Sequence, residues 1–188
     1  MFVGEDGCRM SFGTIEGMSD SENKALKSWY WYDWANQAFA LTIGTVLGGQ
    51  LITRYFNLAT GGSSEIAGFN VTGTSFYAAV LGLSMVFVAI SSPILGAIAD
   101  RIRIKKKIVW TYTIIGVIFT AFMGIAPHLN EDSAYRLLAF CFLMGQIGMA
   151  GGNTIYYAFM PYLADQDQME KVSSWGFAYG FAGGTVIL

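Results

Sequence analysis

Polar side chains interrupt two otherwise apolar stretches of this chain, and their types suit hydrogen bonding to a small polar solute or proton transfer. They are Asp33, Asn36 and Gln37 in the first stretch, and Gln146, Asn153 and Tyr157 in the second. Carboxylate and amide groups are costly in lipid, so we expect them to face other helices or a water-filled cavity. For the amides, interhelical hydrogen bonding and cavity lining are both open. For Asp33 the alternatives are a helix N-cap at the membrane interface and a role toward substrate or protons.

Long apolar runs are the elements that must position these side chains. They cover residues 35–55, 76–99, 108–127 and 137–160, and a fifth begins at 175–188. Each of the first four meets the length of about 20 residues that a helix needs to cross a bilayer. The chain is 54% hydrophobic and 13% charged, whereas typical soluble domains are about 25% charged. We therefore predict an all-α integral membrane protein in contact with the lipid bilayer.

The domain organisation follows from these runs. Residues 1–28 are polar and predict a cytoplasmic tail, whereas residues 29–188 predict part of an amino-terminal transmembrane half. The run at 175–188 is too short to span a bilayer. We therefore expect the chain to be the leading part of a longer protein whose remaining helices complete the fold.

The placement of basic residues predicts the orientation. Three Lys or Arg residues lie in the tail, five in residues 100–107, and Lys171 makes nine of the 11; only Arg54 and Arg136 lie on the other side. Since Lys and Arg are enriched in cytoplasmic loops, the amino terminus and residues 100–107 should be cytoplasmic. Residues 56–74 and 128–136 should then face outside.

Several other classes of function are excluded by composition. One His and two distant cysteines give no zinc site, and no phosphate-binding loop is present. The sequence shows no nucleophile–base pair, so we expect no enzyme, no cofactor and no metal. The basic cluster lies between two spans that are eight residues apart. It is therefore better explained by topology than by nucleic acid.

Glycines at helical spacing predict close packing between helices. Small residues let helix backbones approach each other in membranes. In the fourth span they are Gly145, Gly148 and Gly152, and in the fifth segment they are Gly176, Gly180 and Gly184. We assign both sets to packing rather than to a ligand.

The loop between the second and third spans resembles the signature of the major facilitator superfamily. That pattern is Gly-x-x-x-Asp-Arg-x-Gly-Arg-Arg/Lys, and the residues at its positions are Gly96, Asp100, Arg101, Arg103 and Lys105. Arg103 stands where the family has its second glycine. An acid at the end of a helix can cap a neighbouring helix or pair with an arginine, so Asp100 could hold the cytoplasmic side closed. The alternative is that these charges only fix topology.

Three further stretches are similar to a branch of that superfamily, the autophagy-linked vacuolar amino-acid effluxers and their bacterial members. They read YDWANQAF at 32–39, YYAFMPYL at 156–163 and VSSWGFAYG at 172–180. The resemblance implies a major-facilitator-like helical bundle, here its first four transmembrane helices and part of a fifth. It also implies secondary active transport of a small polar solute, such as an amino acid, by alternating access. The membrane would be the plasma membrane of a bacterium, or a vacuolar membrane in a eukaryote. The alternative function is a non-transporting assembly or scaffold subunit.

Overall fold

The computed structural model describes residues 15, 17–101, 105–164 and 166–187, without the side chains at 98–101, 161 and 187. The helices are α1 (Asp20–Phe39), α2 (Gly48–Thr60), α3 (Gly73–Arg101), α4 (Lys105–Met123), α5 (Glu131–Tyr157) and α6 (Met169–Ile187). A π-helical segment, Ala40–Leu47, separates α1 from α2, and two short 3₁₀ helices cover Ala126–His128 and Met160–Tyr162. Two compact units result: one contains α1 and α6, and the other runs from Leu41 to Ala158.

Within the described residues, three helices are long and apolar enough to cross a membrane. They cover Gly73–Ala97, Lys105–His128 and Glu131–Tyr157. Their apolar length meets the requirement of a bilayer core of about 30 Å. The predicted all-α membrane class is therefore confirmed.

A capping box starts α1 at Asp20, inside the segment predicted as a polar tail. The Ser19 hydroxyl accepts from the Glu22 amide at 3.4 Å, and the Glu22 carboxylate accepts from the Ser19 amide at 2.8 Å. This exchange satisfies two backbone donors that a helix start leaves open. The Ser19 hydroxyl also donates to the Glu22 carboxylate, and these hydrogen bonds lower the pKa of Glu22. The α1 helix thus begins well before the apolar run.

Aromatic side chains join α1 to α6 in the first unit. Tyr30 is fully buried and stacks on Tyr179 with ring centroids 5.2 Å apart. Gly176 faces Trp29 so closely that a Cβ at position 176 would lie 2.7 Å from the indole ring. The absence of a side chain at position 176 therefore lets Trp29 lie directly against α6.

The predicted span at 35–55 is not one uniform α-helix, because its centre is the π-helical segment Ala40–Leu47. Thr42, Ile43, Thr45 and Val46 are β-branched, which lowers their preference for an α-helix. A contact from another helix also holds the segment: the Tyr77 hydroxyl of α3 donates to the Gly44 carbonyl at 2.7 Å. Because π-helices bond five residues apart, helical stripes at α-helical spacing do not extend across this segment.

A β-hairpin lies in the region predicted as an outer loop. The strands β1 (Ser63–Ile66) and β2 (Phe69–Thr72) pair antiparallel, with Ile66 opposite Phe69. The two turn residues, Ala67 and Gly68, have φ of 53° and 80°. Positive φ at both central residues is the geometry of a tight hairpin turn whose twist matches that of the strands.

The helix α5 is the centre of the second unit. In the most apolar 18-residue stretch of α5, 61% of the residues are buried, compared with 6% in the same length of α3 and 11% in that of α4. Its residues Leu138, Cys141 and Phe142 form a core with Ile52 of α2 and Met123 of α4. The outer surfaces of α3 and α4 expose large apolar side chains such as Ile90 and Trp110, as expected for helices that face lipid or further helices.

Candidate functional site

Asp33 lies in the interior of α1 and is almost fully buried, at 3% exposure. Its Oδ1 atom has no hydrogen-bond partner among the described residues. The N-cap hypothesis for Asp33 is wrong, because Ser19 is the N-cap and α1 starts at Asp20. An isolated carboxylate is expensive to bury unless it is paired or neutralised. Asp33 is therefore a group that requires a proton or a partner.

The polar face of α1 packs against a glycine of α6. A Cβ at Gly180 would lie 2.9 Å from Oδ2 of Asp33 and 2.8 Å from Cγ of Gln37. Asn36 is equally buried, at 3% exposure. The structure thus brings Asp33, Gln37 and Gly180 together, and the missing side chain at position 180 leaves room for the carboxylate.

Gln146 of α5 faces the π-helical segment in the second unit. A Cβ at Gly44 would lie 3.0 Å from Nε2 of Gln146. One turn later in the first span and one turn earlier in α5, Gly48 faces the Phe142 ring. Gln146 is 8% exposed. The amide is thus buried against the first span at the point where Tyr77 also contacts Gly44.

Asn153 and Tyr157, the other two candidates on α5, differ in their surroundings. Asn153 is half-buried, and its Oδ1 atom has no hydrogen-bond partner within the described part of the chain. Tyr157 is 45% exposed and contacts the ring of Tyr156, with centroids 5.3 Å apart. Asn153 therefore has a buried acceptor without a partner among the described residues, whereas Tyr157 presents a ring at the surface of its unit.

The predicted packing glycines lie at helix contacts or in buried positions. A Cβ at Gly148 of α5 would lie 2.8 Å from the Tyr112 carbonyl and 2.9 Å from the Gly116 Cα of α4. Gly183 of α6, which aligns with the predicted packing glycines of the fifth segment, faces the Trp34 backbone of α1. The remaining predicted positions, Gly145, Gly152 and Gly184, are buried. The helix pairs α4–α5 and α1–α6 are thus close enough for backbone contact.

Most of the signature loop falls outside the described residues. This applies to Arg103 as a whole and to the side chains of Asp100 and Arg101. Gly96 lies in α3, and a Cβ there would meet no other atom within 4 Å in the described structure. Lys105 is the first residue of α4. The described structure therefore contains no side-chain geometry for Asp100, Arg101 and Arg103.

Sequence reasoning missed an open, largely apolar groove with several polar side chains in the second unit, which we name the Arg54 groove. It has a volume of about 620 Å³. Its polar lining comprises Thr45, Gln50, Thr53 and Arg54 of the first span, with Thr74 and Tyr77 of α3. The spacing of Gln50 and Arg54, four residues apart in a helix, was a usable signal. No local sequence pattern indicated that α3 contributes to this groove.

The two arginines predicted to face outside differ in their partners. Arg136 pairs with Asp132 at 3.0 Å and donates to the Tyr135 hydroxyl at 3.3 Å. Arg54 makes no hydrogen bond or ion pair with any described residue. Within the described part of the chain, Arg54 is thus an exposed cation without a partner.

Comparison with known proteins gives two kinds of match. A family model described as "Vacuole effluxer Atg22 like" matches residues 21–188. An uncharacterized MFS-type transporter of Bacillus subtilis (strain 168), YxiO, is 29% identical over 163 residues, which cover 87% of this chain and 36% of that protein. The raffinose permease of Escherichia coli is 30% identical over 122 residues, which cover 63% of this chain and 26% of that protein. No solved structure matches the chain. The resemblance to transporters of this superfamily is therefore confirmed, over about a third or less of these relatives' length.

Proposed function

Because the chain belongs to the family of vacuole effluxer Atg22-like proteins, we propose that it acts in secondary active transport of a small polar solute, with an amino acid as first candidate. The observation that carries the proposal is the buried, unpartnered carboxylate of Asp33 inside a helix of a transporter family. Ionisable groups at such positions commonly mark substrate or proton pathways. The chemistry needs no covalent step, so we propose no enzymatic activity.

Alternating access is the mechanism that this proposal invokes. In such transporters, helical repeats rock around a solute site near the bilayer midplane. We propose the buried Asp33 of α1 as a group that would contact the solute or a coupling proton, and the buried Gln146 of α5 as a separate candidate within its own unit. Asp100 would stabilise the cytoplasm-closed state by capping a helix or pairing with an arginine. This interaction of Asp100 must be broken in the cytoplasm-open state for transport to proceed.

Solute uptake into vesicles tests both transport and the proposed role of Asp100. We expect saturable uptake of a polar solute above empty vesicles when the full-length protein is reconstituted. Asp100→Asn should reduce the initial rate by roughly tenfold or more, since removal of a charged hydrogen-bonding partner typically costs about 1.5–3 kcal/mol. Its abundance in the membrane should be unchanged. Uptake no greater than that of empty vesicles would favour the scaffold alternative, and full activity of Asp100→Asn would reduce the loop to a topology signal.

Orientation in the membrane is a separate proposal, based on the distribution of Lys and Arg. With a cytoplasmic amino terminus in a bacterial plasma membrane, Ser63→Cys in β1 should react with a membrane-impermeant thiol reagent in intact cells. Ile104→Cys should react only after the cells are permeabilised. Both variants should be made in a background without Cys8 and Cys141. The reverse labelling pattern would contradict the orientation.

A further inference from the structure

The Arg54 groove combines an available cation with polar side chains from two helices. Arg54 and Gln50 lie four residues apart on α2, so both project on the same face of the helix. Thr74 and Tyr77 line the groove from α3. No acidic side chain is among the described residues that line it. Among the described residues, the groove therefore has a positive charge without a counter-charge.

Arg54 lies near the end of the apolar run 35–55 that is predicted to face outside, on an exposed face of α2. Charged side chains in membrane segments usually pair with another group or line a water-filled cavity. Arg136, by contrast, is paired with Asp132 in the first turns of α5. The face of α2 that carries Arg54 is therefore suited to an aqueous path with an anionic occupant.

The shape of the groove leaves room for such an occupant beside the guanidinium. A Cβ at Gly49 would lie 3.2 Å from the Tyr77 ring. The absence of a side chain at position 49 therefore lets Tyr77 lie close to α2. The Tyr77 hydroxyl proton is already donated to the Gly44 carbonyl. This leaves the Arg54 guanidinium, the Gln50 amide and the Thr74 hydroxyl as donors toward the groove. A guanidinium presents paired donors that match a carboxylate.

We propose that the Arg54 groove binds the carboxylate of the transported solute, with Arg54 as its principal ligand. This assigns a binding residue and a place in the fold to the carboxylate of the solute, and it rests on the proposed transport function. Gln50 contributes a second donor one turn away. A lipid phosphate is an oxyanion of similar chemistry and is the competing source that the test must separate.

Ligand-induced thermal stabilisation of the purified full-length protein tests binding without relying on transport. In neutral detergent, at least one common amino acid should raise the Tm, whereas its carboxamide derivative should not. Arg54→Gln should weaken the apparent affinity by roughly tenfold or more, because hydrogen bonds to a charged group are lost. Arg54→Lys should retain part of the affinity. Arg136→Gln is the matched control and should retain all of it, since Arg136 is already paired outside the groove.

Three outcomes would overturn the proposal. They are equal stabilisation by acid and carboxamide, unchanged affinity of Arg54→Gln, and stabilisation by inorganic phosphate or phosphatidylglycerol but by no amino acid. The last of these would assign the groove to lipid headgroups. Failure of the transport function has a different signature, in which acids stabilise the protein through Arg54 but vesicles show no saturable uptake.

Discussion

Gly148→Ala should destabilise the second unit by about 1–3 kcal/mol, the usual effect of forcing extra volume into a packed contact. The new Cβ would lie 2.8 Å from the Tyr112 carbonyl and 2.9 Å from the Gly116 Cα, both atoms of the α4 backbone. Backbone atoms cannot rotate away as a side chain could, so α4 and α5 must separate. We expect a lower Tm in detergent and a broader peak in size-exclusion chromatography, because some of the protein is partly opened.

Gly82→Ala provides the matched control on α3. A Cβ there would meet no other atom within 4 Å in the described structure. Because alanine is favoured over glycine in helices by roughly 0.5–1 kcal/mol, this variant should be as stable as the original or slightly more so. Equal Tm values for the Gly148 and Gly82 variants would contradict the close α4–α5 contact.

Asp33→Asn should reduce transport by roughly tenfold or more while leaving the folded protein at least as stable. The reduction follows because the amide cannot carry a proton or a charge. Stability should be preserved because the change removes an unpaired carboxylate that is costly to bury. Initial uptake rates in vesicles and Tm values in detergent measure the two effects separately.

Asp132→Asn is the control for that experiment. Its carboxylate is exposed and pairs with Arg136, and exposed ion pairs contribute about 0–1 kcal/mol. Neither transport nor stability should change appreciably. A large loss of stability in Asp33→Asn would show that the carboxylate is structural, and unchanged transport would remove it from the solute path.

Apolar length predicted most of the helices. The runs 76–99, 108–127 and 137–160 correspond to α3, α4 and α5, because the bilayer imposes the same minimum length on any sequence. The run 35–55 was predicted as a helix, but its π-helical centre was not. Hydropathy does not distinguish hydrogen bonds across five residues from those across four. The contacts that hold the segment, Tyr77 and Gln146, come from helices distant in sequence.

The candidate site was predictable where one helix determines it. Asp33, Asn36 and Gln37 share a helical face, so the burial of Asp33 and Asn36 follows from the periodicity of α1. The Arg54 groove depends on Thr74 and Tyr77, whose position against α2 is not encoded in either local pattern. The β-hairpin was missed for a related reason, since Ala67 at φ 53° is not a typical turn residue.

The burial of Cys141 gives the protein a natural chemical reporter. The thiol is 2% exposed in the core that α5 forms with α2 and α4. A thiol reagent can reach it only when these helices separate, so its rate of modification measures how often the core opens. In a Cys8→Ser background, that rate can be compared with and without solute. A solute that changes the rate would thereby reveal which helix contacts loosen during its passage.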